Sequence, residues 1–324
     1  MREKTNKILV GTGITAIGLT AVCVSSFALT KYLVRIAMDR EMPKHMEKSK
    51  KQLTGSAEKN VEVINALGIA AQKLRNSECE RVEIISHDGI KLIGHFKTCD
   101  NPKRVIIAMH GWRSSWEKDF GAISDFWHDN GCCVLYAEQR GQNESDGDYM
   151  GFGLIERYDC LDWIHWVNDK LGAFLPIYLG GVSMGASTVL MTSGLELPEN
   201  VHGIVADCGY TSPHEIWKHV VENNLHISYG PHSSIADELC RKKIQIGTKD
   251  YSTVQALQQN KIPVLFIHGT DDHFVPIEMT YENYKACAAP KRLLVVPGAE
   301  HGMRYIVDKA GYEDAVKAFW HDYD

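Results

Sequence analysis

One stretch of this sequence carries residue types and a spacing suited to covalent chemistry: Pro176 to Ala186, PIYLGGVSMGA. A short apolar run, Ile177-Tyr178-Leu179, leads into Gly181-Val182-Ser183-Met184-Gly185. A serine hydroxyl is a weak nucleophile and must be offered to a base and a substrate clear of its own backbone. A sharp strand-to-helix turn with the serine at its strained apex does this, and G-x-S-x-G is the spacing it requires. Side chains at the flanking positions would collide with the neighbouring strand and helix, which accounts for Gly181 and Gly185. A helix beginning at Met184 would aim its unpaired N–H groups at the place where an oxyanion forms. The pentapeptide alone also fits a glycine-rich turn with an incidental serine, so the rest of the chain must supply partners.

Those partners need elements to hold them. From Arg81 onward RVEIIS and KLIGHF alternate apolar and polar residues around His87-Asp88-Gly89, which predicts a hairpin. A continuous apolar run follows at 105–109, as expected of a strand covered on both faces, and further strands are expected at 132–138, 177–179, 201–207, 263–269 and 293–298. Between them lie helical patterns, the longest from about Phe152 to Leu171, where Leu154, Tyr158, Leu161 and Ile164 share a face. Strands alternating with helices imply βαβ units and a mainly parallel sheet, an α/β fold with its site at the carboxyl ends of the strands. Ser183, His110, Asp207 and His268 fall at such ends, as do the residues after Gly269 and Gly298.

Five motifs occur in order at these strand ends: His110-Gly111-Trp112, the loop RGQNESDG, GVSMG, HGTDDHFVP and GAEHG. From about Arg81 to its end the chain resembles the α/β-hydrolase family. Within it, the chain is most similar to membrane-anchored bacterial serine hydrolases related to the prolyl-oligopeptidase-like and serine aminopeptidase branches. The resemblance implies an eight-stranded, mainly parallel sheet with helices on both faces and a small helical cap. It implies a triad in the order Ser, Asp, His, with Ser183 as nucleophile and His301 as general base. For the acid, the pattern H-G-x-x-D-x-x-V-P aligns His268, Gly269, Asp272, Val275 and Pro276, selecting Asp272 over its neighbour Asp271. The oxyanion hole would use the backbone N–H groups of Met184 and Trp112. His110 is expected to brace its loop rather than act as a second base. Two departures, Glu138 for a shorter acid and Asn143 for a glycine, fall in the loop after the fourth strand and leave the triad intact. Arg140 is expected to brace that loop. Asn is the residue best able to replace a glycine there, since it tolerates the left-handed region.

Length and composition bound the rest. With 324 residues, 44% hydrophobic and 23% charged, the chain can bury one large core. A net charge of −6 and no basic stripe argue against nucleic acid as a partner. The cysteines number nine, an odd count, without C-x-x-C, so neither a zinc site nor a complete disulfide framework is indicated. No cofactor or metal is expected. His110, His268, His273 and His301 lack the spacing of a metal motif.

Residues Ile8 to Thr30 carry no charge and are long enough to span a bilayer. We expect a membrane anchor within residues 1–40, the rival being a cleaved signal peptide with Arg2, Lys4 and Lys7 at its head. The side of the membrane stays open, because Lys and Arg lie on both flanks. Residues 41–80 are expected to form a helical stalk, or a packing helix between membrane and domain, with a thin apolar stripe at Val61, Ile64, Ala66 and Leu67. Residues 81–324 form the catalytic domain, with the cap at about 209–260. Because that insertion is short, a shallow cap and a modest pocket are expected. The expected activity is hydrolysis of small or medium carboxylic esters, thioesters or amides through an acyl-enzyme. The alternatives are a serine peptidase acting on short peptides and a non-catalytic, membrane-tethered binding protein.

Overall fold

The computed structural model describes residues 25–42 and 61–324. Eight strands form one sheet in the order β1-β2-β4-β3-β5-β6-β7-β8. They are β1 (Glu80–Ile85), β2 (Lys91–Lys97), β3 (Arg104–Met109), β4 (Cys132–Ala137), β5 (Ile177–Val182), β6 (Val201–Asp207), β7 (Val264–Gly269) and β8 (Lys291–Val296). The predicted hairpin is β1–β2, closing around His87–Gly89, and β2 pairs antiparallel to β4. All other pairs are parallel.

Strand alternation divides the apolar residues between two layers. Ile107, Leu179 and Ile204 lie side by side in register on one face, packed against Trp163 and Val189 from the helices Glu156–Leu171 and Met184–Thr192. Ile106, Tyr178 and Leu265 point to the other face, toward Trp116, Phe120, Trp127 and Phe319. That face is covered by Val61–Arg75, Trp116–Phe120, Ser124–Asp129 and the C-terminal helix Lys309–Tyr323. Every residue of β3, β4 and β7 is buried, which is why these strands read as apolar runs broken only by Arg104 and His268.

Within the apolar N-terminal run, residues 8–24 lie outside the described residues. Residues 25–38 form a helix, and among the described residues no helix is long and apolar enough to cross a membrane. The helix lies against the cap, with Val34 and Met38 in one cluster with Phe152, Trp217 and Val221. Burying such side chains is worth roughly 1.5–3 kcal/mol each. Thr30 Oγ1 and His232 Nδ1 are hydrogen-bonded at 2.7 Å, and Lys243 pairs with Asp39 at 2.7 Å.

Val61–Arg75 is also packed on the body. It docks through Leu67, Ala70, Ala71 and Leu74, the spacing of one helical face, while Val61 and Ile64 are exposed. A Cβ on Gly121 would stand 2.7 Å from the Ala70–Ala71 backbone, so glycine there permits this contact. The packed body therefore extends N-terminal to residue 81, where the sequence suggested the catalytic domain begins.

The cap is helical, as expected. Pro213–His219 is N-capped by Ser212, whose Oγ accepts from the Glu215 N–H, and it runs into a π-turn at Val220–Asn224. Gly230–Ile244 follows.

Candidate active site

β5 ends in the predicted turn. Ser183 has φ +56° and ψ −116°, a strained conformation for a residue with a side chain. It is held there by its N–H bond to the Asp207 carbonyl at 2.8 Å and by the helix Met184–Thr192 that it precedes. Both glycines are sterically required. A Cβ on Gly181 would overlap the Gly185 carbonyl, and one on Gly185 would overlap the Met109 carbonyl.

The loops after β7 and β8 bring Asp272 and His301 to this serine. His301 Nε2 lies 3.0 Å from Ser183 Oγ. Its Nδ1 lies 2.7 Å from Asp272 Oδ2, which fixes the tautomer with Nδ1–H donating and Nε2 free to accept the serine proton. Asp272 is buried, and its Oδ1 accepts the N–H groups of Phe274 (3.1 Å) and Val275 (2.9 Å). Burial alone would push its carboxyl up. The adjacent His301, His268 and Arg304 outweigh that and hold it well below the usual carboxylate range. Asp271 is exposed and takes no part in the chain of bonds. Phe274 packs edge-on against the His301 ring, 5.0 Å between centroids.

Trp112 and Met184 border the serine, and neither backbone N–H has a hydrogen-bond partner among the described residues. The adjacent Gly111 N–H is spent on Asp119 Oδ2 at 2.7 Å, and Ser114 Oγ donates to Asp119 Oδ1. Asp119 thus fixes the loop that carries Trp112. The indole N–H of Trp112 reaches back to the Ala37 carbonyl at 2.8 Å, tying that loop to the N-terminal helix.

His110 stands apart. It is fully buried; Nδ1–H donates to the Gly111 carbonyl at 2.8 Å, and Nε2 accepts the Gln139 N–H at 3.1 Å. Glu138 lies 3.4 Å from His110 and 3.5 Å from His95. Arg140 is buried and binds both Asp88 and Asp159, bracing the loop as expected. Asn143 takes the left-handed conformation, φ +49°, and its amide donates to Glu138 at 2.6 Å.

Arg304 is a residue that the motifs did not mark. Its guanidinium is buried between two carboxylates, with Nε 2.6 Å from Asp207 Oδ1 and Nη1 3.6 Å from Asp272 Oδ2. Nη1 also donates to the Glu300 carbonyl at 3.2 Å. A buried cation needs such partners, but only the fold brings β6 and the β7 loop to it. Cys208, Asp272 and His301 offer ligand atoms within 4.8 Å of one another, a spacing a cation could use. The Arg304 guanidinium already reaches Cys208 Sγ at 2.7 Å and Asp272, so the cluster has its cation.

Ser183 and His301 open onto a cavity of about 780 Å³. It is larger than the modest pocket that the short cap implies. The cavity runs instead along the sheet face covered by Val61–Arg75 and the C-terminal helix, as far as Trp127 and Trp320. A second, apolar groove of about 80 Å³ lies between the N-terminal helix and the cap, and meets the first at Trp112 and Phe274.

No protein-family model matches the chain. The uncharacterized protein YqkD of Bacillus subtilis is 26% identical over 225 residues, covering 69% of this chain and 73% of that protein. The uncharacterized protein YfhR of Escherichia coli K12 is 24% identical over 239 residues, covering 68% and 73%. Among solved structures, the esterase Pf2001 of Pyrococcus furiosus superposes with a TM-score of 0.64 at 21% identity, covering 78% of this chain and 93% of that one. Est1E from Butyrivibrio proteoclasticus, solved with ferulic acid bound, gives 0.58 at 20% identity, covering 75% and 98%. With this sheet order, a serine on the turn after β5 and these neighbours, the chain has the α/β-hydrolase fold.

Proposed function

We propose that this protein is a serine hydrolase that cleaves carboxylic esters through an acyl-enzyme on Ser183. The observation that carries this reading is the unbroken line from Ser183 Oγ through His301 to Asp272, beside a cavity large enough for a substrate. The esterases among the structural neighbours support the same reaction class. His301 takes the hydroxyl proton as Oγ attacks the carbonyl carbon, and returns it to the leaving alcohol. Asp272 keeps the imidazole oriented and balances the charge it gains. The Met184 and Trp112 N–H groups receive the carbonyl oxygen as it becomes an oxyanion. Water then repeats the sequence to release the acid.

Peptide cleavage is the less supported alternative. A peptidase needs a group to hold the peptide amine or carboxylate, and Glu215, Glu222 and Glu238 of the cap do not line the cavity. Glu222 accepts the Tyr229 N–H and Glu238 pairs with Lys242 at the surface. The complete set of reactive groups also weighs against a non-catalytic binding role. The apolar run at 8–24 supports a membrane anchor preceding the packed helix 25–38, to be tested by fractionating cells that express chains with and without residues 1–24.

The deciding experiment treats the full chain with a fluorophosphonate and offers p-nitrophenyl esters beside aminoacyl and dipeptidyl amides. Labelling at Ser183, lost in Ser183→Ala, with ester turnover is the expected result. Folded protein that neither labels nor turns over any ester would sink the proposal.

A further inference from the structure

We infer that the substrate's acyl group is a long hydrocarbon chain seated in the cavity on the sheet face covered by Val61–Arg75 and the C-terminal helix, and that Gly180 keeps that seat open. The inference rests on the serine-hydrolase reading and names its substrate class.

The cavity begins at the nucleophile and follows one face of the central strands. In β5, Tyr178, Gly180 and Val182 point to this face, beside Ile106 of β3 and Val205 of β6. Central strands of a parallel sheet are expected to be sealed on both faces. Yet Val205 is only half-buried, although β6 lies between β5 and β7. On the opposite face its neighbour Ile204 is fully buried.

Gly180 explains part of the opening. Its φ is not in the left-handed region, so the backbone does not call for glycine. A Cβ there would meet nothing closer than Ile106 Cγ2 at 3.5 Å and the Ile107 carbonyl at 3.9 Å. Glycine inside a strand is destabilising relative to alanine, and it often marks close approach of a ligand. Here it leaves empty volume directly behind the nucleophile. Gly181 and Gly185, by contrast, are dictated by the turn itself.

Much of the wall is suited to hydrocarbon, because its carboxylates and the Tyr178 hydroxyl are already engaged; the Trp320 indole N–H is a buried polar atom without a partner among the described residues. Asp207 is held by Arg304 and by the Tyr312 hydroxyl at 3.3 Å. Asp119 is held by the Gly111 N–H and Ser114, and the Tyr178 hydroxyl reaches Asp324 at 3.1 Å. Ile106, Val205, Val316, Trp127 and Trp320 present carbon to the remaining surface. At about 780 Å³ the cavity lies in the upper part of the range for whole small-molecule ligands. The groove under the cap is about a tenth of that, room for a small leaving alcohol.

The test measures kcat/KM on p-nitrophenyl acetate, butyrate, octanoate and laurate with the full chain. It compares wild type with Gly180→Val, which fills the cavity from the sheet, and Val316→Phe, which fills it from the C-terminal helix. The wild type is expected to favour laurate over acetate at least tenfold. Each variant should lower that ratio at least tenfold, with acetate turnover as the internal reference. A wild type that labels at Ser183 but prefers acetate overturns the inference while leaving the hydrolase reading intact. So does a laurate-to-acetate ratio unchanged in both variants. Absence of Ser183 labelling in wild type would instead remove the underlying reading.

Discussion

Two clusters at the carboxyl ends of the strands are built from the same parts and differ in what lies beyond them. The first joins His301, Asp272 and Arg304. The second joins His110, Glu138 and, farther along its loop, Arg140. Each contains a histidine near a buried carboxylate and a buried arginine that ties distant segments together. In the first, the outer ring nitrogen of His301 faces a serine hydroxyl at 3.0 Å and an open cavity. In the second, both His110 nitrogens are bonded to backbone groups and the ring has no exposure. A histidine with both nitrogens bonded to backbone holds a loop in place. One with a nitrogen left to a nucleophile can move a proton.

This contrast is open to direct attack. The largest effects should come from Ser183→Ala and His301→Ala, each lowering kcat on a good ester by roughly 10³–10⁶-fold without lowering Tm. Comparable loss from His110→Gln at unchanged Tm would erase the distinction between the clusters. Asp272→Asn should follow, costing about 10³–10⁴-fold through a misplaced tautomer. Next come matched substitutions of the two arginines. Arg140→Met leaves Asp159 buried without its partner and should destabilise by roughly 3–5 kcal/mol in urea melts, with turnover per folded molecule retained. Arg304→Met should destabilise by a similar amount and also alter the pH–rate profile, because its cation lies 3.6 Å from the Asp272 carboxylate. Identical pH profiles for the two variants would mean that Arg304 acts on structure alone.

The smallest expected effect is a pH-dependent stability from Glu138. Burial pushes its carboxyl up, but His110, His95 and Asn143 outweigh that and hold it down at about 2, against an ordinary value of 4.5. A depressed carboxyl stabilises the fold above its unfolded value, and that stability is lost as pH falls from about 4.5 toward 2. The contribution is on the order of 2–3 kcal/mol. Denaturant melts at pH 6 and pH 3 should show a steeper loss for wild type than for Glu138→Gln. Parallel loss in both would remove the bracing role assigned to Glu138.

Much of the site was legible because its signals are local. The five motifs lie at strand ends that hydrophobic patterning locates within a few residues. Ser183 is flanked by glycines that have no other reason to be there. Asp272 was separable from Asp271 only through its spacing to His268 and Pro276, and the structure places Asp272 inside and Asp271 outside. Asp119 and Arg304 carried no such signal. An acid in a short helix and an arginine after a histidine look like surface residues until the partners they neutralise are brought to them. The helix Val61–Arg75 is polar in sequence, which leaves stalk and packing helix undivided. It docks through the narrow face Leu67, Ala70, Ala71 and Leu74, where small residues allow close approach instead of a wide apolar stripe.

By itself the sequence determined the βαβ order, the turn at Ser183 and the residue types that meet there. Periodicity, glycine sterics and strand-end placement act over a few residues and are written along the chain. Tertiary structure decided which histidine faces the serine, which carboxylate is dry enough to orient it, and where Arg304 finds its two acids. It also decided that the large cavity lies along the sheet face covered by Val61–Arg75 and the C-terminal helix, and not under the cap. That outcome depends on volume left between layers contributed by distant segments: Gly180 and Val205 of the sheet, Trp127 beside them, and Val316 and Trp320 of the last helix. Empty space is a property of packing, and no single segment encodes it.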